Sequence, residues 1–506
     1  MKQVEKWGVF EVAVHGRADG NPFLDYEISG VFTGERETVK VEGFYDGEGV
    51  YRVRFMPSFE GRYSYTVEGS AIDAAVAGEF EAVAPSGRNH GPVRVVDKTL
   101  LAYADGTPHY SIGTTCYAWA NQSLELQAQT LQTLSGSPFN KLRFCFFPKF
   151  YEFNLRQPIT WPFERGHGEG LDPALVAIQA KRTYWPLEPV PEMDYDFDYT
   201  RPNVAHFRRF DERIGQLMEM GIEADMILMH PYDRWGMNEM SATACDAYLK
   251  YVVARYGALR NVWWSLANEY DIIPTKTAED WERYGTLIAR NDPYHHMCSV
   301  HNCIEYYDFT RPWVTHLSLQ RTDFYRTTEY TDEFMEKYGK PAVWDEICYE
   351  GNISLGWGNI TGQELVRRFW EAFLRGGHAG HGETFLDEGD ILWWSHGGVL
   401  KGESAPRLAF LKGILEQTPG RGLRVDKGLF DEVVGCAVDA PETYRLHYLG
   451  ICQPRFRTLM LPEDADYEVE IIDTWNMTVT PAGVHRGATR IDLPGNQYMA
   501  LRVRRM

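Results

Sequence analysis

The chain has 506 residues, 44% of them hydrophobic and 14% aromatic, and this length predicts two or three domains rather than one core. Its formal net charge of −20 argues against nucleic acids and anionic membranes as partners, since both attract basic surfaces. No run of about 18 apolar residues predicts a membrane span, and the first residues lack the apolar stretch of a secretory signal, which favours a cytoplasmic location.

Residues 1–92 show the alternation of apolar and polar side chains that is typical of β-strands with one buried face. Residues 9–14, 51–56 and 63–67 follow this pattern, with glycine and aspartate between them. Short strands at this spacing predict a small β-sandwich. Residues 84–92, which contain two prolines and two glycines, are expected to close this domain as a linker.

Residues 93–422 alternate between apolar, buried-type strands and amphipathic helices. The eight predicted strands are residues 110–116, 141–147, 224–230, 262–268, 298–301, 315–320, 342–346 and 379–383. Helical segments such as 207–220 and 245–256 separate most of them, and Gly221 and Gly257 stand where these two helices should end. Eight alternations predict a (β/α)8 barrel, with residues 151–202 inserted as an extended loop or lid over its catalytic face.

Residues 423–506 return to the alternation of β-strands, for example at 445–450, 467–472 and 499–503. They predict a second small β-sandwich. The expected fold class is therefore multidomain, with a central (β/α)8 TIM barrel flanked by two small all-β sandwich domains.

The fourth and the seventh of the predicted barrel strands each lead into a glutamate. Glu269 follows Asn268 at the end of the fourth strand, and Glu346 ends the seventh. Active sites of such barrels lie at the C-terminal ends of the strands, and the fourth and seventh strands face each other across the barrel mouth. Each carboxylate could merely cap a strand or form an ion pair. Two carboxyl groups about 5 Å apart in one pocket are, however, the equipment of a glycosidase that retains anomeric configuration.

The chemistry of glycosidic cleavage assigns a role to each of these side chains. The leaving oxygen needs a proton, and we assign its donor to Glu269, held partly protonated by an apolar wall and by the other carboxylate. The anomeric carbon needs electron density from Glu346, which must stay ionised; Arg143, at the end of the second strand, is the candidate cation beside it. Asn268 is a candidate ligand of the sugar 2-hydroxyl.

Other polar and aromatic side chains at strand ends are secondary candidates for substrate binding. They are His230, Asp233, His301, Gln320, Glu383, Trp393 and Trp394. The polar members would bind sugar hydroxyls, and the two tryptophans would stack on sugar rings. A purely structural role is an equally good interpretation for several of them, as it is for Trp119 and Trp235.

Three segments of the sequence resemble one family. These are Trp-Ser-Leu-Ala-Asn-Glu-Tyr-Asp at 264–271, Gly-His-Ala-Gly-His-Gly-Glu-Thr at 377–384 and Leu-Trp-Trp-Ser-His-Gly-Gly at 392–398. They resemble an apiosidase-like group within clan A of the retaining glycoside hydrolases. Members often carry an N-terminal immunoglobulin-like domain and a C-terminal β-domain, so the resemblance covers nearly the whole chain.

The resemblance implies that Glu269 is the acid/base, that Glu346 is the nucleophile, and that Asn268 and Arg143 assist. The sequence departs from the clan at the end of the sixth strand, where many members place a tyrosine. Gln320 and Arg321 occupy that region here and Tyr325 comes later, which leaves the positioning of the nucleophile unexplained.

Three functions compete at this stage. The first is a retaining glycosidase acting on oligosaccharides, with no cofactor and no metal. The second is a carbohydrate-binding barrel without catalytic activity. The third is a metal-assisted hydrolase that uses His230, His301 and the histidines of the eighth strand, although the eight cysteines show no spacing typical of a zinc site. The sequence determines neither the sugar, anomer and linkage, nor exo or endo action, nor the oligomeric state.

Overall fold

The protein, described here by a computed structural model, consists of a central barrel with an all-β part on either side. The structure describes residues 1–186, 188–321, 323, 325–387, 392–427 and 432–506. None of the helices in these ranges combines the length and apolar character that crossing a membrane requires.

The N-terminal part is a sandwich of two sheets whose apolar side chains meet in a shared core. The larger sheet contains, in spatial order, Lys2–Glu5, Val76–Val83, Gly61–Glu68, Ser29–Thr33 and Thr38–Glu42. The smaller contains Phe10–His15, Val50–Phe55 and Phe44–Tyr45. Alternate residues point inward, Phe32 and Phe55 stack between the sheets, and Phe80 contacts both rings edge-on. The predicted sandwich is confirmed.

The middle of the chain forms a parallel barrel of eight strands. They are β1 (Ile112–Thr115), β2 (Lys141–Cys145), β3 (Glu223–Ile227), β4 (Val262–Ser265), β5 (Cys298–Ser299), β6 (Leu317–Gln320), β7 (Ala342–Glu346) and β8 (His378–His381). The spatial order of the strands in the sheet is β5-β4-β3-β2-β1-β8-β7-β6. A parallel bridge between His301 and Ser318 joins the two ends of the sheet. All eight predicted strands are present.

Most barrel strands are shorter at their C-terminal ends than the apolar runs predict. The run that begins at Val262 continues to Ala267 with Ser265 as its one polar residue, yet β4 ends at Ser265. Beyond that residue the chain leaves the ladder to build the barrel mouth, where apolar residues are buried by packing between loops. Burial therefore extends further along the chain than strand pairing does.

Helices cover the outside of the barrel. They are Leu124–Ser135, Val204–Met220, Ala242–Tyr256, Ala278–Asn291, Thr331–Tyr338, Gly362–Leu374 and Ser404–Leu415. Gly221 ends the second helix in the left-handed conformation, with φ of 74°, which glycine adopts without steric cost. Gly257 also follows the end of a helix but keeps a right-handed φ of −59°.

The insertion after β2 has structure of its own. Its strands Phe163–Arg165 and Phe197–Pro202 pair with each other, and the helix Pro173–Gln179 lies between them. The side chain of Asp172 caps that helix by accepting a hydrogen bond from the backbone amide of Ala174. The insertion thus forms a short folded layer beside the barrel mouth.

The C-terminal part is a six-stranded antiparallel sheet with a separate two-stranded ribbon. The sheet contains Leu423–Asp426, Val433–Ala437, Tyr444–Tyr448, Met499–Arg505, Tyr467–Asp473 and Thr478–His485, and the ribbon contains Phe456–Met460 and Ala488–Asp492. The helix Gly362–Leu374 packs on the sheet, where the rings of Trp370 and Tyr448 stack 5.3 Å apart. Gly435 allows this approach, since a Cβ there would lie 3.0 Å from the carbonyl oxygen of Leu374.

Ion pairs attach the N-terminal sandwich to the barrel helices. Asp46 lies 2.9 Å from Arg255 and 3.1 Å from Arg208, while Arg54 lies 3.0 Å from Asp211. Asp211 also lies 2.6 Å from Arg255. Because Asp46 and Arg255 are buried, this network fixes the sandwich to the barrel in one orientation.

Candidate active site

A cavity of about 480 Å³ opens at the C-terminal ends of the barrel strands, and both Glu269 and Glu346 line it. Aromatic side chains form much of its wall, namely Tyr151, Phe153, Tyr232, Tyr349, Trp357 and Trp394. The insertion contributes Trp185, whose side chain is 64% exposed at the rim. A second cavity, of about 570 Å³, lies at the opposite end of the barrel beside Glu223, away from this pair.

Glu269 lies in the loop after β4, with its backbone in the left-handed conformation at φ 51°. A residue with a Cβ adopts this conformation only under constraint from its surroundings, and such residues are frequent at active sites. The hydroxyl of Tyr232 donates a hydrogen bond of 2.5 Å to its carboxyl group. Burial and the charge of Glu346 raise the pKa of Glu269, against the opposing effects of Lys149 and Tyr232.

Glu346 ends β7, at an irregularity in the pairing with β6. The hydroxyl of Tyr117 donates a short hydrogen bond to its carboxylate, and Nε2 of His301 lies 3.3 Å from the same oxygen. Burial alone would raise the pKa of Glu346. The contacts with His301 and Tyr117 and the charge of Arg143 outweigh burial and hold that pKa below its ordinary value.

A buried polar layer lies under the two glutamates. Arg143 donates a hydrogen bond of 3.1 Å to Oδ1 of Asn268 and one of 3.0 Å to Oγ of Ser265. Oδ1 of Asn268 also lies 3.1 Å from the hydroxyl oxygen of Tyr117, so Arg143 is connected to Glu346 through these two side chains. Arg143 therefore lies below the pocket and is connected to it through Glu346, which lines it.

The charge of Arg143 is balanced further down in the barrel. Lys141 lies 2.7 Å from Asp225 and 2.5 Å from Asp345, and Arg143 lies 3.4 Å from Asp225. Two cations and two carboxylates thus compensate each other in the barrel interior, which is the condition for burying them. Ser318 connects this group to the pocket. Its hydroxyl donates a hydrogen bond of 2.5 Å to Asp345 and lies 3.0 Å from Nδ1 of His301.

Three of the secondary candidates lie at the pocket. Gln320 and Trp394 line it, and His301 lies between Glu346 and Gln320, with Nε2 3.1 Å from Oε1 of Gln320. The ring of Trp394 lies 4.8 Å from that of Trp357. These contacts join β5, β6 and β7 to the loop after β8.

The structure does not bring the other secondary candidates to the pocket. His230 contacts the carbonyl oxygen of Phe147 at 3.1 Å, and Asp233 accepts hydrogen bonds from backbone amides of its own loop. Glu383 accepts from the backbone amides of Lys401 and Gly402, and burial raises its pKa to about 7. Trp393 is buried and donates 2.9 Å to Thr114. All four side chains stabilise the loops or the core instead.

The core also contains the tryptophans and the eighth-strand histidine for which the sequence allowed either a structural or a functional role. Trp119 and Trp235 are fully buried, and His381 lies 2.9 Å from the hydroxyl of Thr114. Within the ranges that the structure describes, no three His, Cys, Asp or Glu side chains converge to form a metal site.

Several residues at the site carry no motif of their own. Tyr117 directly follows the run that ends at Cys116, and Tyr232 lies between His230 and Asp233. Their place after a barrel strand is the only sequence pattern that could have indicated them. Tyr325, the residue considered for the missing tyrosine of the sixth strand, is 86% exposed, and the donor to Glu346 comes from the end of β1 instead.

Comparison with known proteins agrees with this architecture. A structure from Bacteroides vulgatus, described as that of a candidate glycoside hydrolase, is 35% identical over 100% of both chains with a TM-score of 0.89. A glycoside hydrolase family 5 structure from the same species is 15% identical over 82% of this chain and 94% of its own, with a TM-score of 0.59, and shares the fold. A search of curated proteins finds no significant match.

The fold and these matches define the protein as a glycosidase built on a TIM barrel. Residues 97–385, more than half of the chain, match the family described as "Apiosidase-like, catalytic domain". The chain belongs to this family, as the sequence motifs indicate. Residues 3–70 and 431–504 match two domains of unknown function, DUF5060 and DUF5605.

Proposed function

We propose that the protein hydrolyses O-glycosidic bonds of oligosaccharides with retention of configuration, with Glu269 as acid/base and Glu346 as nucleophile. The proposal is carried by two carboxyl groups that line one pocket and whose pKa values are shifted in opposite directions. Burial and the neighbouring carboxylate raise the pKa of Glu269, whereas hydrogen bonds and charge lower that of Glu346. A proton donor and an ionised nucleophile require this difference.

In the first step, the carboxylate of Glu346 attacks the anomeric carbon while the bond to the leaving oxygen breaks. Glu269 transfers its proton to that oxygen, and a covalent glycosyl ester on Glu346 results. In the second step, Glu269 takes a proton from water, the water oxygen attacks the anomeric carbon, and Glu346 leaves as a carboxylate. Each step needs Glu269 in the opposite protonation state.

The surroundings of the two glutamates suit a sugar ring. Oδ1 of Asn268 accepts a hydrogen bond from Arg143, which orients its amide NH₂ as a donor for the 2-hydroxyl of the sugar. Aromatic rings such as Trp394 and Trp357 offer apolar faces, and the rim supplied by the insertion favours a pocket over an open cleft. We therefore propose short oligosaccharides as substrates.

The test begins with a panel of aryl glycosides of pentoses and hexoses, with the anomer of the first product followed by NMR. Retention is the expected outcome, and inversion would contradict the assignment of Glu346 as nucleophile. Glu346→Gln should lower kcat by about a thousandfold or more without loss of folding. The matched control is Glu333→Gln, at an exposed position, which should leave kcat unchanged.

Glu269 is tested by the leaving group. Glu269→Gln should slow hydrolysis of sugar–sugar bonds far more than that of aryl glycosides with acidic phenols, since these leave without a proton. An equal loss for both substrates would contradict the acid/base role. Binding of sugars without hydrolysis of any glycoside would favour the carbohydrate-binding alternative.

A further inference from the structure

Lys149 is a buried cation in the loop after β2, behind the wall of the pocket. Its side chain is 2% exposed, and Nζ lies 3.8 Å from the ring centre of Tyr117 and 4.2 Å from that of Tyr232. The rings of Tyr151 and Trp394 complete the enclosure, at 4.2 and 5.4 Å. None of the ion pairs found in the described part of the chain includes this ammonium group. Aromatic faces thus take the place of a carboxylate partner.

Two of the three closest rings belong to the tyrosines that contact the two glutamates. Tyr117 donates to Glu346, and Tyr232 donates to Glu269. A cation over the face of a phenol withdraws electron density from its hydroxyl, which makes that hydroxyl a stronger donor. Lys149 is therefore connected to both carboxyl groups, through one tyrosine each.

We propose that Lys149 is a positioning residue of the glycosidase, and that its ammonium balances the single negative charge which Glu269 and Glu346 share throughout the reaction. The proposal rests on the proposed retaining mechanism. Before the first step that charge is on Glu346, and Glu269 carries a proton. After it, Glu346 is an ester and Glu269, having given its proton to the leaving oxygen, carries the charge.

A cation connected to both glutamates through one tyrosine each stabilises both of these states, whereas a cation paired with one glutamate would favour only one of them. This explains why the ammonium is held by neutral rings: a direct ion pair would fix it to one carboxylate. The mutual effects agree, because Lys149 lowers the pKa of Glu269, and the charges of Glu269 and Glu346 oppose the lowering of the pKa of Lys149 by burial.

Other charged and titratable groups also face the pair. His301 and Cys303 lie beside Glu269, and His301, Tyr117, Tyr349 and Arg143 act on Glu346. Cys145 and Arg143 act on Lys149. The positive charge of Arg143 is compensated by its ion pairs with Asp225 and Asp345, which lie beneath it.

The experiment compares the pH dependence of kcat/KM in Lys149→Met, Lys149→Gln and Lys149→Arg. Loss of the charge should move both limbs of the profile to higher pH by about one unit, because both carboxyl groups lose a nearby cation. It should also lower kcat/KM at the wild-type optimum by about 100-fold. Lys149→Arg, which keeps the charge, should stay close to the wild-type profile. The matched control Lys250→Met changes an exposed lysine on a helix and should alter neither quantity.

Each outcome decides the proposal. Unchanged limbs in a folded neutral variant would overturn it, and so would failure of both neutral variants to fold while Lys149→Arg folds, since Lys149 would then serve the fold. Movement of the acidic limb alone would assign Lys149 to Glu346 only and would also overturn it. The proposed function is judged separately, by the product anomer and by Glu346→Gln.

Discussion

At the scale of single residues, two tyrosines hold the paired glutamates in different environments. Tyr232 donates to Glu269, which burial and a neighbouring charge keep at a raised pKa. Tyr117 donates to Glu346, which His301 also contacts. Since the two carboxyl groups share one pocket, their separate partners account for their different protonation.

Replacement of Tyr117 by Phe tests this arrangement. The variant loses a donor to Glu346, so the pKa of that carboxyl should rise and the acidic limb of kcat/KM should move to higher pH. The basic limb, set by Glu269, should stay in place, and kcat/KM should fall by about 10- to 100-fold. The measurement is the pH–rate profile.

The matched control for this prediction is Tyr467→Phe. The hydroxyl of Tyr467 is buried in the C-terminal sheet and has no hydrogen-bond partner among the residues that the structure covers, so its removal should leave the profile unchanged. An acidic limb that stays in place in Tyr117→Phe would show that Tyr117 contributes packing alone.

At the scale of elements, the loop between β3 and the helix Ala242–Tyr256 contains Tyr232 and two buried acidic residues, Asp233 and Glu239. Asp233 accepts hydrogen bonds from the amides of Trp235 and Asn238, which holds the loop in shape. Both carboxyl oxygens of Glu239 are buried without a partner in the described part of the chain. Burial and the charge of Asp233 raise the pKa of Glu239 to about 9.

This raised pKa predicts a loss of stability with rising pH. Above pH 4.5 the unfolded state releases the Glu239 proton, whereas the folded state keeps it up to about pH 9, so the free energy of unfolding falls across this interval. Glu239→Gln removes the titration. We expect the decrease between pH 5 and pH 8 to be smaller in this variant by about 4 kcal/mol, as measured by urea denaturation.

Glu219→Gln, at an exposed helix position, is the control for a charge change without burial and should follow the wild-type protein at both pH values. If Glu239→Gln shows the same pH dependence as the wild-type protein, Glu239 is ionised in the folded state.

At the scale of the whole molecule, the three parts of the chain share one framework. The core of the barrel continues into both flanking parts, through Phe44 on one side and Tyr448 on the other. Asp46 joins the N-terminal sandwich to two barrel helices through Arg208 and Arg255. Unfolding of the sandwich would therefore expose arginines of the barrel.

Asp46→Asn should lower the free energy of unfolding by about 3 kcal/mol, because it leaves the buried Arg255 with only part of its charge compensation. Kinetic constants should stay unchanged, since none of these residues lines the pocket. Denaturation followed by tryptophan fluorescence, together with kcat/KM, measures both effects. Asp73→Asn removes an exposed ion pair with Arg17 and should change stability by less than about 0.5 kcal/mol. An equal effect of the two variants would contradict a structural role of the network.

The pattern of apolar and polar residues was enough to predict the barrel, its flanking β-sandwiches and the positions of Glu269 and Glu346. Strands that are buried on both faces have to be apolar throughout, so they are visible as runs, and a glutamate that ends such a run is conspicuous. The same pattern could not separate Tyr232 from His230 and Asp233, because the direction of a side chain in a loop has no period.

The side chains that surround the two glutamates became apparent from the three-dimensional fold. Tyr117 and Glu346 are 229 residues apart, and they meet because β8 pairs with both β1 and β7 in the sheet. The same arrangement of strands left Glu383 and Trp393 to loop and core contacts and put Lys149 behind both tyrosines. Local sequence specifies each strand, but contacts between strand ends depend on the order of the strands in the sheet, and on that order the sequence pattern carries no information.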